Sequence, residues 1–525
     1  MKKFISVMLC FTLLFSVCSS SVCANGDSAD FEVTVSDSLD SINADVPVVF
    51  VNGMQGEFYK GLSTETEEDD VRIWGPDTDV ILEAVKKYAF SLTFNLLIGN
   101  YDKVTEIAGD TADVIFGDFV CDKNGKPNPD TGKKDKSNYT LQSENGYDNS
   151  YGFVYDWRLD MVTIAGQLDE YVNDIMELTG SDKVAFVAMS MGNAVMTTYL
   201  YEYYYTSEDY EERNHIDSVV FLAGAMNGVA TCEDPFSGNM GVDSTSILRM
   251  MSELMRDNDD TKVIYTFVEI LYSLGMLDPI TDYVNNLNGH LTENGLNDAV
   301  LTNIAQIPGF LALMSLERYE EARAFLFDTP EKQAEYAEII RMSDYYHYNV
   351  QKNSVEMIQS LMDDEINVAV IAEYGCTIIP ITSDNDRMSD GTILTASESF
   401  GATCAEVDGT LGENYVQAEA CECGKSHISA DNQIDASTCA FPDVTWFCKN
   451  LRHSEEGKYV ADLIDVIIYS DEQVTVWDYS QYPQYLINLD DNCLVPLTTE
   501  NAGEILPYEE TTVFSEIKKK FSFNK

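Results

Sequence analysis

In this 525-residue chain, the residue types around Ser190 are compatible with a nucleophilic serine. Ser190 follows an apolar run, residues 184–189, and precedes a segment with helical spacing, residues 191–204. A serine on a sharp turn between a buried strand and a helix can present its hydroxyl above the sheet edge, as a nucleophile elbow does. The small residues Ala188 and Gly192 let strand and helix approach closely. By itself the motif is more typical of an ordinary strand-to-helix turn, so its interpretation depends on partners elsewhere.

Two later residues can supply those partners, because a serine hydroxyl needs an adjacent base to attack an ester. Asp390 precedes a tight turn, and His453 follows the last predicted strand, residues 444–448. The carboxyl ends of parallel strands share one edge of a sheet, so we expect these residues to converge with Ser190. His453 would then take the proton from Ser190, and Asp390 would fix the imidazole tautomer.

Each partner has a competitor. Of the five histidines, His427 is the serious alternative, but it precedes the last predicted strand whereas His453 follows it. Asp384 and Asp386 lie in the same loop as Asp390. We favour Asp390 because a Gly-Thr-Ile turn comes directly after it, although Asp-Gly is also common in turns without function.

The candidate oxyanion hole consists of the backbone amides of Met54 and Met191. Met54 lies in a glycine-bracketed turn after an apolar strand, residues 46–51, and Met191 follows Ser190. α/β-Hydrolases take their two oxyanion donors from these two places. Each such donor contributes about 3 kcal/mol to stabilisation of the transition state.

Strands and helices alternate along most of the chain. The predicted strands share an apolar, β-branched composition: residues 46–51, 151–155, 184–189, 218–223, 366–372 and 444–448. Helical spacing is found between these strands and after the last of them: residues 79–98, 161–178, 191–204 and 455–468. This alternation predicts an α/β fold of the α/β-hydrolase type, with a mostly parallel sheet covered by helices on both faces. Residues 121–149 are rich in Gly, Pro, Asn and Asp and predict an exposed loop.

The chain divides into five predicted parts. They are a signal peptide (1–24), a first part of the core (25–228), a helical cap (229–364), a second part of the core (365–469) and a C-terminal tail (470–525). The tail is expected to be irregular or β-rich. The apolar faces of the cap are more often plain core, although a Met-rich surface also adapts to acyl chains.

The first 24 residues predict export. Lys2 and Lys3 precede an apolar run, residues 4–17, and small residues end at Ala24. The run is too short to span a bilayer, and no later segment approaches the length of a membrane span. We therefore expect a secreted protein without stable membrane insertion. A lipid anchor is disfavoured because each cysteine near the cleavage point follows a valine.

The net charge of −57 disfavours nucleic acid and anionic membrane surfaces as partners. A hydrophobic content of 45% excludes global disorder. No motif calls for a cofactor, and none is expected. The sequence leaves the oligomeric state open.

The cysteines beyond the predicted signal peptide are odd in number, and five of them cluster: Cys404, Cys421, Cys423, Cys439 and Cys448. In an exported protein one or two local disulfides are expected among them. Zinc bound by Cys421, Cys423, His427 and Cys439 is the alternative. The one-residue gap between the first two is narrower than zinc sites use, so we predict no metal site.

Three motifs together resemble one branch of the α/β-hydrolases. The segment Tyr155-Asp156-Trp157-Arg158, the elbow at Ser190 and the stretch 389–393 (Ser-Asp-Gly-Thr-Ile) are similar to the lecithin:cholesterol acyltransferase and lysosomal phospholipase A2 branch. The resemblance covers residues 46–225 and 366–468. It implies cleavage of an acyl ester of a lipid or another apolar substrate, through an acyl-enzyme that water or an alcohol resolves. It also implies that Asp156 and Arg158 support the site without reacting.

The chain departs from that branch at three places. Met189 stands where the branch has His, Ala188 where it has Gly, and Asn52-Gly53 where it has Pro-Gly. None of these changes removes a catalytic group, so they bear on the head group and the acyl acceptor. Two alternatives stay open: a peptidase or amidase with the same triad, and a noncatalytic binding protein on a hydrolase scaffold.

Overall fold

The computed structural model describes residues 46–62, 71–74, 87–88, 91, 94–95, 98–144, 147–207, 214–254, 262–378, 380–382, 386–420, 424–453, 457–489 and 493–503. Several predictions concern other residues. The signal peptide, most of the predicted helix 79–98, Asp384, Cys421 and Cys423 lie outside the described residues. The same is true of the last part of the predicted tail.

Sixteen strands occur in this described part. They are β1 Val48–Val51, β2 Phe58–Lys60, β3 Val71–Arg72, β4 Thr131–Lys133, β5 Gln142–Glu144, β6 Tyr147–Phe153, β7 Val184–Met189, β8 Ile216–Leu222, β9 Asn367–Tyr374, β10 Cys376–Thr377, β11 Met388–Ser389, β12 Thr403–Cys404, β13 Ile434–Asp435, β14 Thr445–Lys449, β15 Tyr485–Leu489 and β16 Cys493–Pro496.

Nine of the strands form one sheet in the order β16-β15-β14-β9-β8-β7-β1-β6-β5. Neighbours from β15 to β6 pair in parallel, and β16 and β5 add antiparallel edges. The central strands β1, β7 and β9 are buried along their whole length, which explains their continuous apolar runs. The predicted α/β-hydrolase fold is confirmed.

The helices cover both faces of this sheet and fill the chain between β8 and β9. They are α1 Tyr101–Phe116, α2 Met161–Thr179, α3 Gly192–Leu200, α4 Ala230–Ser237, α5 Ser244–Leu254, α6 Lys262–Ser273, α7 Asp278–Glu293, α8 Leu296–Val300, α9 Pro308–Leu311, α10 Leu316–Leu326, α11 Pro330–Glu335, α12 Ala337–Tyr345, α13 Ser354–Asp363, α14 Thr395–Glu398 and α15 Gly457–Ile468. Within the described residues, none of these helices has the length and apolarity needed to cross a membrane.

Helix α2 illustrates how local sequence sets an element. The Asp160 side chain accepts a hydrogen bond from the Thr163 amide at 3.2 Å, and Gly180 ends the helix with a φ of 72°. Both are standard helix boundaries, because a short acceptor caps the first turn and glycine adopts a left-handed conformation at low cost. The predicted helix 161–178 matches α2 almost to the residue.

The turn-rich segment 121–149 was wrongly predicted to be only a loop. Its residues Thr131–Lys133 form β4, which pairs antiparallel with β2, and Gln142–Glu144 form the edge strand β5. Strands this short acquire their conformation from distant pairing partners and not from local preference. In the predicted tail, β15 and β16 extend the main sheet. The division into core, cap and tail stays a prediction.

Candidate active site

Ser190 lies at the turn between β7 and α3 with a φ of 54°. This left-handed conformation costs a non-glycine residue of order 1–3 kcal/mol, and surrounding contacts must hold it. The Ser190 amide donates to the Leu222 carbonyl at 3.1 Å, and its carbonyl accepts from the Ala225 amide at 3.1 Å. The Asn193 side-chain amide donates to the carbonyls of Ser190 and Leu222 at 3.1 and 3.0 Å. Together these bonds tie the elbow to the end of β8.

Two glycines bring backbone segments against the elbow. A Cβ on Gly192 would lie 2.1 Å from the Val51 carbonyl oxygen, so only glycine lets α3 start this close to the end of β1. A Cβ on Gly53 would lie 2.8 Å from Ser190 Cβ and 3.2 Å from its Oγ. The turn after β1 therefore packs directly on the candidate nucleophile.

The structure brings Ser190, His453 and Asp390 into one hydrogen-bonded row. His453 Nε2 lies 2.8 Å from Ser190 Oγ, and His453 Nδ1 lies 2.6 Å from Asp390 Oδ2. The other carboxylate oxygen, Asp390 Oδ1, accepts from the amides of Thr392 and Ile393 at 2.6 Å each. The Asp390 side chain is fully buried, while His453 is about 10% exposed. This spacing suits proton transfer from serine to imidazole.

The strand that precedes Asp390 is not the one that the sequence predicted. Asp390 follows β11, which pairs with β10 in a separate hairpin, and not a strand of the main sheet. The hairpin returns the chain so that the Asp390 carbonyl accepts from the His453 amide at 3.0 Å. A backbone bond thus joins the loop that follows β14 to the turn at Asp390.

The predicted oxyanion donors flank the elbow. Met191 is buried and opens α3, while Met54 lies in the turn that packs on Ser190 through Gly53. Neither the Met54 nor the Met191 amide donates to another group in the described part of the chain. Both N–H groups are therefore available to a ligand. At Met191 the helix N-terminus adds partial positive charge.

The Tyr155–Arg158 segment supports that turn. The Tyr155 hydroxyl donates to the Asn52 carbonyl at 2.7 Å, and the Trp157 indole N–H donates to the Gln55 carbonyl at 3.2 Å. Between them, Asp156 pairs with the fully buried Arg158 at 2.6 Å. Arg158 also donates to the Phe119 carbonyl at 3.2 Å. This pair holds neighbouring segments together, as its resemblance to the known motif implied.

The competing residues lie elsewhere. His427 is buried, with Nδ1 2.8 Å from Gln484 Oε1. Asp386 is exposed, and Asp384 is not among the described residues. Among the remaining histidines, His347 is buried with Nδ1 2.7 Å from Gln351 Oε1, and burial lowers its pKa to about 4.

Replacing His427 by Gln is expected to leave kcat within about twofold of wild type, because its imidazole bonds to Gln484 and not to Ser190. Burial makes a loss of stability of about 1–3 kcal/mol the main effect. Steady-state ester turnover and thermal unfolding measure the two effects, with His453→Gln as the matched control. A collapse of kcat in the His427 variant would contradict the assignment.

The expected cysteine cluster is only partly described. Among the described residues, the thiols of Cys121, Cys404, Cys439 and Cys448 are free. Cys421 and Cys423 lie outside, so any pairing with them stays a prediction. No group of histidines, cysteines and carboxylates in the described ranges could hold a metal ion.

Sequence reasoning missed two residues beside the site. Asn193 could have been noticed, since it is a polar side chain in an otherwise apolar helix start. Lys133 carried no such signal. Its Nζ donates to the Gln55 carbonyl at 2.7 Å, a contact between residues 78 positions apart.

Comparison with known proteins supports the resemblance seen in the sequence. Residues 140–398 match the model of the lecithin:cholesterol acyltransferase family, a segment that includes Ser190, Asp390 and the Tyr155–Arg158 motif and ends before His453. No curated protein matches the chain. The chain therefore has the α/β-hydrolase fold, and its residues 140–398 are similar to the lecithin:cholesterol acyltransferase family.

Proposed function

We propose that this chain is a secreted serine hydrolase that cleaves acyl esters through an acyl-enzyme. The observation that carries the proposal is the row from Ser190 Oγ through His453 to the buried Asp390, with distances of 2.8 and 2.6 Å. The match of residues 140–398 to the lecithin:cholesterol acyltransferase family supports lipid acyltransferase or esterase activity in general. Secretion rests on the leader-like first 24 residues.

The first half of the reaction forms the acyl-enzyme. Ser190 Oγ attacks the ester carbonyl carbon while its proton passes to His453 Nε2. Asp390 Oδ2 accepts from Nδ1–H and stabilises the imidazolium that results. The developing oxyanion accepts hydrogen bonds from the backbone amides of Met54 and Met191. His453 then returns the proton to the alkoxide leaving group as the C–O bond breaks.

The second half decides between hydrolysis and transfer. Water, or an alcohol, gives its proton to His453 and attacks the acyl carbon, and Ser190 leaves with that proton restored. The two outcomes use the same residues and differ only in which acceptor enters. The family's printed name favours transfer to an alcohol as the variant to test beside hydrolysis.

The substrate we propose has an apolar acyl chain. The helical segment between β8 and β9 packs directly beside the elbow, since a Cβ on Gly309 would lie 2.9 Å from Met191 Cε. Aromatic rings pack next to this contact. The ring centroids of Phe310 and Trp157 lie 5.4 Å apart. The side chains packed beside the elbow are therefore apolar, which favours an apolar acyl chain over a polar one. Met189, which stands where related proteins have His, makes the head group the least constrained part of the substrate.

A fluorophosphonate probe is expected to label the wild-type chain at Ser190, because an activated serine attacks phosphorus as it attacks an ester carbon. Peptide mapping of the labelled protein locates the adduct. Ser190→Ala and His453→Gln should both remain unlabelled, the first for lack of the nucleophile and the second for lack of the base. Absence of label on the folded wild-type chain would contradict a catalytic role and favour the binding-protein alternative.

A substrate panel separates the enzyme classes. p-Nitrophenyl esters of increasing chain length should be cleaved, whereas matched anilides should not. Adding a long-chain alcohol tests transfer, which would appear as a new ester in place of free acid. Faster anilide than ester turnover would favour the peptidase or amidase alternative.

A further inference from the structure

The turn after β1, residues 52–55, is held by hydrogen bonds within the turn and to residues in and after β6. The Gly53 carbonyl accepts from the Gln55 amide at 2.9 Å, and the Asn52 side chain donates to the Phe153 carbonyl at 3.3 Å. The Tyr155 hydroxyl donates a hydrogen bond to the Asn52 carbonyl. These bonds orient the peptide between Gly53 and Met54, whose N–H points opposite to its carbonyl because the bond is trans.

The far end of the turn is held by Lys133, a residue from a different part of the fold. β4 brings it there by pairing antiparallel with β2, in a register that sets Phe58 opposite Lys133. Its Nζ donates to the Gln55 carbonyl at 2.7 Å, and the Trp157 indole shares that acceptor at the longer distance of 3.2 Å. A Cβ on Gly56 would lie 2.7 Å from Lys133 Cε, so the lysine stem packs against the turn itself.

We propose that Lys133 is a positioning residue for the oxyanion hole, which holds the Met54 amide in place through the carbonyl at Gln55. This rests on the function proposed above, since it assumes an oxyanion at that amide. Lys133 does not touch the reacting atoms. It acts through one backbone carbonyl, two peptide units away from the donor it orients.

An oxyanion donor is effective only within a few tenths of an ångström of its place, and a misplacement of about 1 Å costs on the order of 100-fold in rate. A charged donor makes a hydrogen bond roughly twice as strong as a neutral one. Without Lys133 the carbonyl at Gln55 keeps only the neutral Trp157 donor, and the turn gains freedom where it faces the substrate.

The charge state of Lys133 offers a second readout. Burial lowers the pKa of its ammonium to about 8, while the carboxylates of Asp135 and Asp156 oppose that shift. Asp156 is itself paired with Arg158, and the Phe58 ring centroid lies 5.9 Å from the ammonium. Loss of the proton near pH 8 replaces a charged donor with a neutral one and weakens its bond to the turn.

The test compares Lys133→Met with Lys134→Met, which removes the exposed neighbouring lysine over the Tyr59 ring. With short p-nitrophenyl esters, Lys133→Met should lower kcat about 10- to 100-fold and leave KM within about twofold, because the loss falls on the transition state. Lys134→Met should match wild type, and Lys133→Arg should recover part of kcat. The wild-type kcat should fall above pH 8, and this alkaline limb should be absent from Lys133→Met.

Equal kcat for the two Met variants would overturn the positioning role while the hydrolase proposal stands. Parallel losses of kcat and thermal stability, with an unchanged alkaline limb, would indicate a structural lysine only and would also overturn it. If Lys133→Met does not fold, a wild-type kcat that is flat to pH 9.5 overturns the role. A folded wild-type chain with neither turnover nor fluorophosphonate labelling would instead refute the hydrolase proposal and this inference with it.

Discussion

Replacing Asp390 by Asn is expected to lower kcat about 10⁴-fold, with the protein still folded. The reason lies in the hydrogen bonds of the carboxylate. Oδ1 accepts from the amides of Thr392 and Ile393, so an asparagine must place its oxygen there. Its NH₂ group then faces His453 Nδ1, which becomes an acceptor. The remaining proton moves to Nε2, and the imidazole can no longer take the proton of Ser190.

The measurement is kcat for a p-nitrophenyl ester over pH 5–9, with thermal unfolding to show that the variant folds. The Ser190→Ala variant gives the residual turnover that remains without the nucleophile. Asp386→Asn is the matched control, since Asp386 is exposed in the same stretch of chain and should leave kcat unchanged. A loss of less than about 10-fold in Asp390→Asn would mean that Asp390 does not set the tautomer.

Replacing Gly192 by Ala is expected to destabilise the protein by about 3 kcal/mol or more and to abolish turnover in the remaining folded fraction. The added Cβ would lie 2.1 Å from the Val51 carbonyl oxygen and 2.7 Å from that of Asn52. Both are backbone atoms in buried positions and cannot rotate away. Relief therefore requires α3 and β1 to separate, which moves Ser190 away from the turn at Gly53.

Gly166→Ala, within α2, is the matched control for this prediction. A Cβ at Gly166 would meet only the Tyr203 hydroxyl, at an ordinary 3.5 Å. Alanine is the better helix former, so this variant should gain up to about 1 kcal/mol of stability. Urea unfolding followed by circular dichroism compares the two. A Gly192→Ala protein as stable as wild type would show that the elbow can accept a side chain there.

The predictable parts of this fold are those whose signals are local. Continuous apolar runs such as residues 184–189 indicate strands buried on both faces, and Asp160 and Gly180 delimit α2. The prediction for segment 121–149 was wrong because its turn-forming composition gives no indication of β4. That strand forms by pairing with β2, which lies far away in the chain. Local preference carries no information about such a partner.

The candidate site also has parts that local sequence predicts and parts that depend on contacts across the fold. Three parts of the site have recognisable local sequence patterns: the elbow, the turn at Met54 and the Tyr155–Arg158 motif. Their order along the chain predicts that they lie at one edge of the sheet. Which aspartate and which histidine meet Ser190 depends on contacts across the fold. The hairpin β10–β11 returns Asp390 to His453, and no local pattern encodes its geometry.

By itself, the sequence determined the fold class and the chemistry that Ser190 could perform, because both follow from periodicity and from residue types at fixed offsets. Only the tertiary structure decided how closely the parts approach. The 2.8 Å between His453 and Ser190, the backbone contacts that restrict position 192 to glycine, and the bond from Lys133 to the turn all join distant segments. Such distances are set by the packing of the whole sheet, which no short stretch of sequence contains.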